Sequence, residues 1–135
     1  MDQCIFCKIL RKEIPNHTVY EDADTLAFLD IFPCTKGHVV VIPKIHAETV
    51  FELTGEKMQI LFGSVQKVMN RMQEVLSPDG FNVGWNHGKV GGQAVPHLHV
   101  HILPRWNGDG GGSMHSIVKK DSDMSVEDVA KLFML

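Results

Sequence analysis

The segment His97-Leu98-His99-Val100-His101-Ile102-Leu103 constrains this chain more than any other. In an extended chain successive side chains point to opposite faces, so the three histidines share one face and Leu98, Val100 and Ile102 the other. A helix would scatter the same residues around its circumference. The strand must lay its apolar face on a core and present a column of imidazoles roughly 6.5–7 Å apart on the other face. Pro96 opens it and Pro104 closes it. Such a strand needs partners, and the chain offers four. Thr18–Glu21 and residues 25–30 form a hairpin around a turn at Asp22 to Asp24. Residues 38–43 are a β-branched apolar run, expected to be buried on both faces. Residues 81–85 supply the fifth strand. Met58, Leu61, Phe62, Val65, Val68, Met69, Met72, Val75 and Leu76 recur at three and four, the stripe of one long helix. Thr54 is its expected N-cap, Glu56 suits its positive end, and Ser77-Pro78-Asp79-Gly80 stops it. A short helix over residues 4–12, ended by Pro15, precedes the hairpin. Ser125 with Asp128 caps a last helix ending near Leu132. The order predicts an α+β fold: a mostly antiparallel five-stranded sheet, one long helix and short terminal helices.

With 135 residues, 44% apolar and 21% charged, the chain reads as a single domain over 1–135, with a core over 4–110 and an extension over 111–135. The net charge of −3 and the lack of basic runs exclude a nucleic-acid polymer as partner. The longest aliphatic run, residues 39–42, is far short of the ~20 a membrane helix needs. Met1-Asp2-Gln3-Cys4 lacks the basic start of an export signal, and three cysteines, an odd number, make no disulfide framework. A cytoplasmic location with reduced thiols is expected. Residues 107–113, four of them glycine, read as a mobile loop.

Three alternating histidines admit three readings: exposed surface residues, a metal chelate, or a neutral imidazole acting as nucleophile. Their neighbours favour the last. Gly91 and Gly92, followed by Gln93, lie just ahead of the strand, where glycines let backbone N–H groups approach an anion. Arg105 follows, and no acidic residue lies between Val90 and Arg105. These surroundings suit attack on a phosphoryl group. Cys4-x-x-Cys7 has the spacing of a zinc knuckle and also of redox chemistry, but no strand precedes the pair.

Residues 92–105, Cys4-Ile5-Phe6-Cys7-Lys8-Ile9, Ala27-Phe28-Leu29-Asp30-Ile31 and the block from Lys36 through His38 to Lys44 together resemble the histidine triad (HIT) family, over about residues 4–110. The resemblance implies a hydrolase or nucleotidyl transferase acting at the α-phosphate of a purine nucleotide. His99 would attack phosphorus and form a nucleotidyl-histidine. His101 would donate to a phosphoryl oxygen or the departing group. His97 would hold the tautomer of His99 through its carbonyl, and His38 would be a fourth histidine beside the triad. Gln93, with the amides of Gly91 and Gly92, would stabilise charge on phosphoryl oxygens. Asp30 would bind the ribose hydroxyls, Phe6, Ile9 and Ile31 would enclose the base, and Asn86 would lie near the phosphates. Outside the resemblance, Asp30 reads as a turn aspartate and Asn86 as part of a turn. The leaving group stays open among an amine, sulfate, fluoride and a second nucleotide. The phosphoramidate-cleaving branch has a hydroxyl residue after the glutamine. Here that position is Ala94, which cannot protonate a leaving amine. The resemblance also implies a structural zinc on Cys4, Cys7, His46 and His97. It implies a homodimer in which the stretch from Met114 reaches the partner's site. A nucleotide-binding regulatory protein with little turnover is the alternative, and a metal-dependent hydrolase a third. Cys34 is read as incidental.

Overall fold

The computed structural model describes residues 3–134. Its elements run α1 (Ile5–Leu10), β1 (Thr18–Glu21), β2 (Thr25–Leu29), β3 (Val39–Pro43), α2 (Gly55–Leu76), β4 (Gly80–Gly84), β5 (Val100–Arg105) and α3 (Val126–Leu132). The five strands make one sheet in the order β1-β2-β3-β5-β4, every neighbour antiparallel. The expected α+β architecture is the one observed.

Alternation splits the sheet into two faces. One face carries Ala27, Val39, Val41, Val100 and Ile102 and receives the α2 stripe, Leu61, Val65, Val68 and Met72. Each of these helix side chains is almost fully buried, and each burial stabilises the fold by roughly 1.5–3 kcal/mol. Thr54 caps α2 by accepting the Lys57 N–H at 3.1 Å, and Ser77, in the left-handed conformation, ends it. The opposite face carries Leu26, Phe28, Val40 and Ile42 and is covered by α1 through Phe6, Cys7 and Ile9. Because α1 sits here, the histidine face is not a solvent face. His97 and His99 are buried.

Four expectations shift. The helix over 4–12 is shorter: Cys4 caps it and Lys12 takes a positive φ, so it stops ahead of Pro15. The ladder of β5 begins at Val100, while Leu98 donates its N–H to the Ala47 carbonyl at 2.7 Å. His97 to His99 are therefore extended chain beside residue 47, with the strand's facing kept and its sheet partner exchanged. Pro104 does not close β5, which continues to Arg105. Nor do residues 107–113 hang free. Arg105 donates to both carboxylate oxygens of Asp109 (2.7 and 2.8 Å) and to the Gly112 carbonyl (2.6 Å). A Cβ at Gly111 would meet this guanidinium, which would have to shift to admit it.

Candidate active site and metal centre

The histidines are fixed by backbone acceptors and donors that also set their tautomers. His99 Nδ1–H donates to the His97 carbonyl at 2.7 Å, which leaves the lone pair on Nε2. His97 Nε2–H donates to the Pro43 carbonyl at 3.0 Å, which leaves the lone pair on Nδ1. The Cys34 N–H donates to His38 Nδ1 at 3.3 Å. His38 then carries its proton on Nε2 and donates it to His101 Nδ1 at 2.9 Å, so His101 keeps an N–H on Nε2. The result is an acceptor on His99 next to a donor on His101, with ring centroids 4.9 Å apart. The rings lean together, closer than the ideal two-residue strand repeat. Phe6 lies edge-on to His99 at 5.1 Å.

All four imidazoles are held neutral. Burial lowers the pKa of His99, against an opposing pull from its bond to the His97 carbonyl. Burial likewise lowers His97 and His38. His101 is pushed down to about 4, by burial first and then by the neighbouring His99 and His38. Asp30 sits at the edge of this group, with Oδ2 3.5 Å from His38 Nε2 and Oδ1 accepting the Phe32 N–H at 2.8 Å. The turn reading of Asp30 is thus satisfied by one oxygen, and the other faces the histidines.

Not every expected residue joins them. Gln93 turns its side chain into the scaffold: Oε1 accepts from the Gly88 N–H (2.9 Å), and Nε2 donates to the carbonyls of Glu48 (2.7 Å) and Val95 (3.1 Å). Gly91 and Gly92 donate their N–H groups to the Gly88 and Lys89 carbonyls within the same loop. The anion nest expected there is closed by its own turn hydrogen bonds. Gly91 must be glycine, since a Cβ would overlap the His87 carbonyl oxygen. Asn86 lies beside Gly92 and lines the same cavity as His38 and His101. Of the residues expected around the base, Phe6 and Ile9 pack into the core cluster under α1, while Ile31 is 73% exposed.

Below the triad, Cys4, Cys7, His46 and His97 place their ligand atoms within 4.8 Å of one another. Cys7 Sγ lies 3.2 Å from His46 Nδ1 and 3.6 Å from His97 Nδ1, and Cys4 Sγ lies 3.4 Å from His97 Nδ1. A tetrahedral zinc with two thiolates and two imidazoles needs sulfur–nitrogen edges of about 3.5 Å. The bond from His97 Nε2 to Pro43 is the outer contact that aims the Nδ1 lone pair at this centre. The donor set and its geometry fit zinc.

Sequence reasoning passed over Cys34, whose N–H sets the tautomer of His38 and whose Sγ lies 3.6 Å from it. Only a backbone contact made by folding gives it this place. Arg105 was read as a cation beside an anion site, but its guanidinium is already committed to Asp109, Gly112 and the Asn82 side chain (2.6 Å).

A five-stranded antiparallel sheet with a row of neutral imidazoles along one face defines a HIT domain. The HIT domain family model matches residues 11–108, and the chain belongs to this family. Among its relatives, Protein hit of Bacillus subtilis is 46% identical over 84% of this chain and 79% of that protein. The adenosine 5′-monophosphoramidase hnt1 of Schizosaccharomyces pombe is 43% identical over 77% of this chain and 75% of its own length. The adenylylsulfatase HINT3 of Arabidopsis thaliana is 36% identical over 77% of this chain and 53% of its own. The crystal structure of a HIT family protein from Bacillus anthracis superposes with a TM-score of 0.84 at 41% identity, covering 97% of this chain and 92% of that one.

Proposed function

We propose that this chain is a nucleotide hydrolase or nucleotidyl transferase that works through a covalent nucleotidyl-His99. The observation that carries the reading is the pair of fixed tautomers: a free Nε2 lone pair on His99 beside an Nε2–H on His101. His99 Nε2 attacks the α-phosphorus of a purine nucleotide, and a P–N bond forms. The bond from phosphorus to the leaving group breaks, with the His101 Nε2–H hydrogen-bonding the departing atom, which leaves as an anion or takes its proton from solvent. Water then attacks phosphorus, its proton passes to solvent, and the P–N electrons return to His99 as the nucleoside monophosphate leaves. A histidine kept neutral by burial needs no separate base to act as nucleophile at pH 7. The names of two relatives, a monophosphoramidase and an adenylylsulfatase, support chemistry at an adenylate phosphorus with different leaving groups.

Asp30 Oδ2 is the candidate acceptor for ribose hydroxyls, and Asn86 the candidate neighbour of the phosphates. Gln93 and the Gly91–Gly92 turn act through the shape of the loop, since their donors already have partners. Zinc on Cys4, Cys7, His46 and His97 would tie α1 to the start of the histidine segment and take no part in the reaction. The molecule works as a homodimer, as the family resemblance implies, and in the cytoplasm, where its thiols stay reduced. A second copy would cover part of the exposed apolar surface of α3, including Val126 and Leu132.

The test is His99→Ala, with adenosine 5′-phosphoramidate, adenosine 5′-phosphosulfate and diadenosine polyphosphates as substrates and mass detection of the nucleotidylated protein. Turnover should fall below about a hundredth of wild type and the adduct should vanish, while adenosine monophosphate still binds. A variant that keeps more of its rate rules out this nucleophile.

A further inference from the structure

The cluster of Cys4, Cys7, His46 and His97 is not the only group of metal-binding side chains. Asp30, His38 and His101 also bring their ligand atoms within 4.8 Å of one another. The fold sets this second group in advance. The Asp30 N–H donates to the His38 carbonyl at 2.9 Å and closes the turn between β2 and β3. The Phe32 N–H holds Asp30 Oδ1, and Oδ2 lies 3.5 Å from His38 Nε2. The pairing of β3 with β5 sets Val40 opposite His101 and brings His101 Nδ1 to 2.9 Å from the same nitrogen. A carboxylate oxygen and two imidazole nitrogens therefore converge on one point, and a single proton on His38 Nε2 lies among them.

A divalent ion fits where that proton lies. At metal–ligand distances of about 2.0–2.2 Å, the 2.9 and 3.5 Å edges subtend about 90° and 115° at the ion, angles found in tetrahedral and octahedral coordination. Two imidazoles and one carboxylate leave further positions open to water. For His38 to ligate through Nε2, its proton moves to Nδ1, where the Cys34 sulfur lies 3.6 Å away to accept it. His101 ligates through Nδ1 and keeps its Nε2–H. His38 is buried, while Asp30 and His101 are half-buried, so the point is sheltered yet reachable. We propose that Asp30, His38 and His101 form a second metal centre, which takes a divalent transition ion such as zinc and thereby shuts the site to ribonucleotides. The ion claims Asp30 Oδ2, the acceptor proposed for the ribose hydroxyls, and ties down His101 beside His99. The exclusion of nucleotide rests on the proposed function; the ion site itself does not.

The experiment adds divalent cobalt to protein purified without chelator and reads visible absorption and metal content per chain. One cobalt per chain should bind with a dissociation constant below about 100 µM. Its spectrum should be that of nitrogen and oxygen ligands, without the thiolate-to-cobalt charge transfer that cobalt on Cys4 and Cys7 would give. Asp30→Asn and His38→Ala should each weaken this binding at least about tenfold. His17→Asn, which alters an exposed histidine outside the cluster, should leave it unchanged. Saturating adenosine monophosphate should displace the cobalt from the wild type, a readout that needs no variant. In turnover, zinc at about ten times its dissociation constant for this site should raise KM for ribonucleotide substrates about tenfold and leave kcat unchanged. Thiolate absorption alone, binding weaker than about 100 µM, or binding that neither variant changes overturns the second centre. Cobalt that stays bound under saturating adenosine monophosphate overturns the exclusion of nucleotide. If no substrate turns over, attack by His99 fails, and the dependence of cobalt binding on Asp30 and His38 decides the metal centre by itself.

Discussion

His101 gives a test of whether the fold holds its histidines neutral. Burial, with His99 and His38 nearby, pushes its pKa from 6.5 down to about 4. The groups facing it are His38 and Asp30 from the neighbouring turn and strand and His99 from its own segment. A folded-state pKa below the unfolded value means that the unfolded chain takes up a proton first as the pH drops. Stability is therefore complete above pH 6.5 and is lost as the pH falls from 6.5 toward 4. Between 6.5 and 5, at ~1.4 kcal/mol per pH unit, this one residue accounts for a loss of about 2 kcal/mol. The assay is urea unfolding of wild type and His101→Asn at pH 7 and pH 5, with chelator in every sample so that metal release does not contribute. The wild type should lose about 2 kcal/mol more than the variant across that interval. His38 and His99, also depressed by burial, should leave a smaller slope in the variant. If the two proteins lose stability in parallel, to within about 0.5 kcal/mol, His101 is not held neutral. The donor assigned to its Nε2 would then have to be reconsidered.

Two further outcomes bear on the site. Protein purified without chelator should carry about one zinc per chain, with Cys7→Ser losing the metal and melting at lower temperature; elemental analysis finding less than about 0.2 metal per chain ends the zinc assignment. Asp30→Ala should weaken ribonucleotides about tenfold more than the matching deoxyribonucleotides. The deoxy arm corrects for the lost turn contact to Phe32, and equal losses remove the ribose role.

The periodicities carried most of the architecture. Apolar spacing located α2, the β-branched run located β3, and His-x-His-x-His placed three imidazoles on one face, because side-chain direction follows backbone period whatever the rest of the chain does. Local capping was equally legible: Thr54 and Ser125 accept the N–H groups three residues on. The Cys4, Cys7, His46 and His97 cluster was named from resemblance, and its spacing in the chain gave no hint of its closeness in space.

What only the tertiary structure decided are the contacts between residues far apart in sequence. Pattern alone could not say that α1 covers the histidine face and buries Phe6 and Ile9 against it. Nor could it say that Pro43 sets the tautomer of His97, or that His38 bonds His101 across the sheet. A period dictates the direction of a side chain. Its partner, its proton and its pKa depend on which distant backbone groups folding brings within 3 Å, and on how much water they displace.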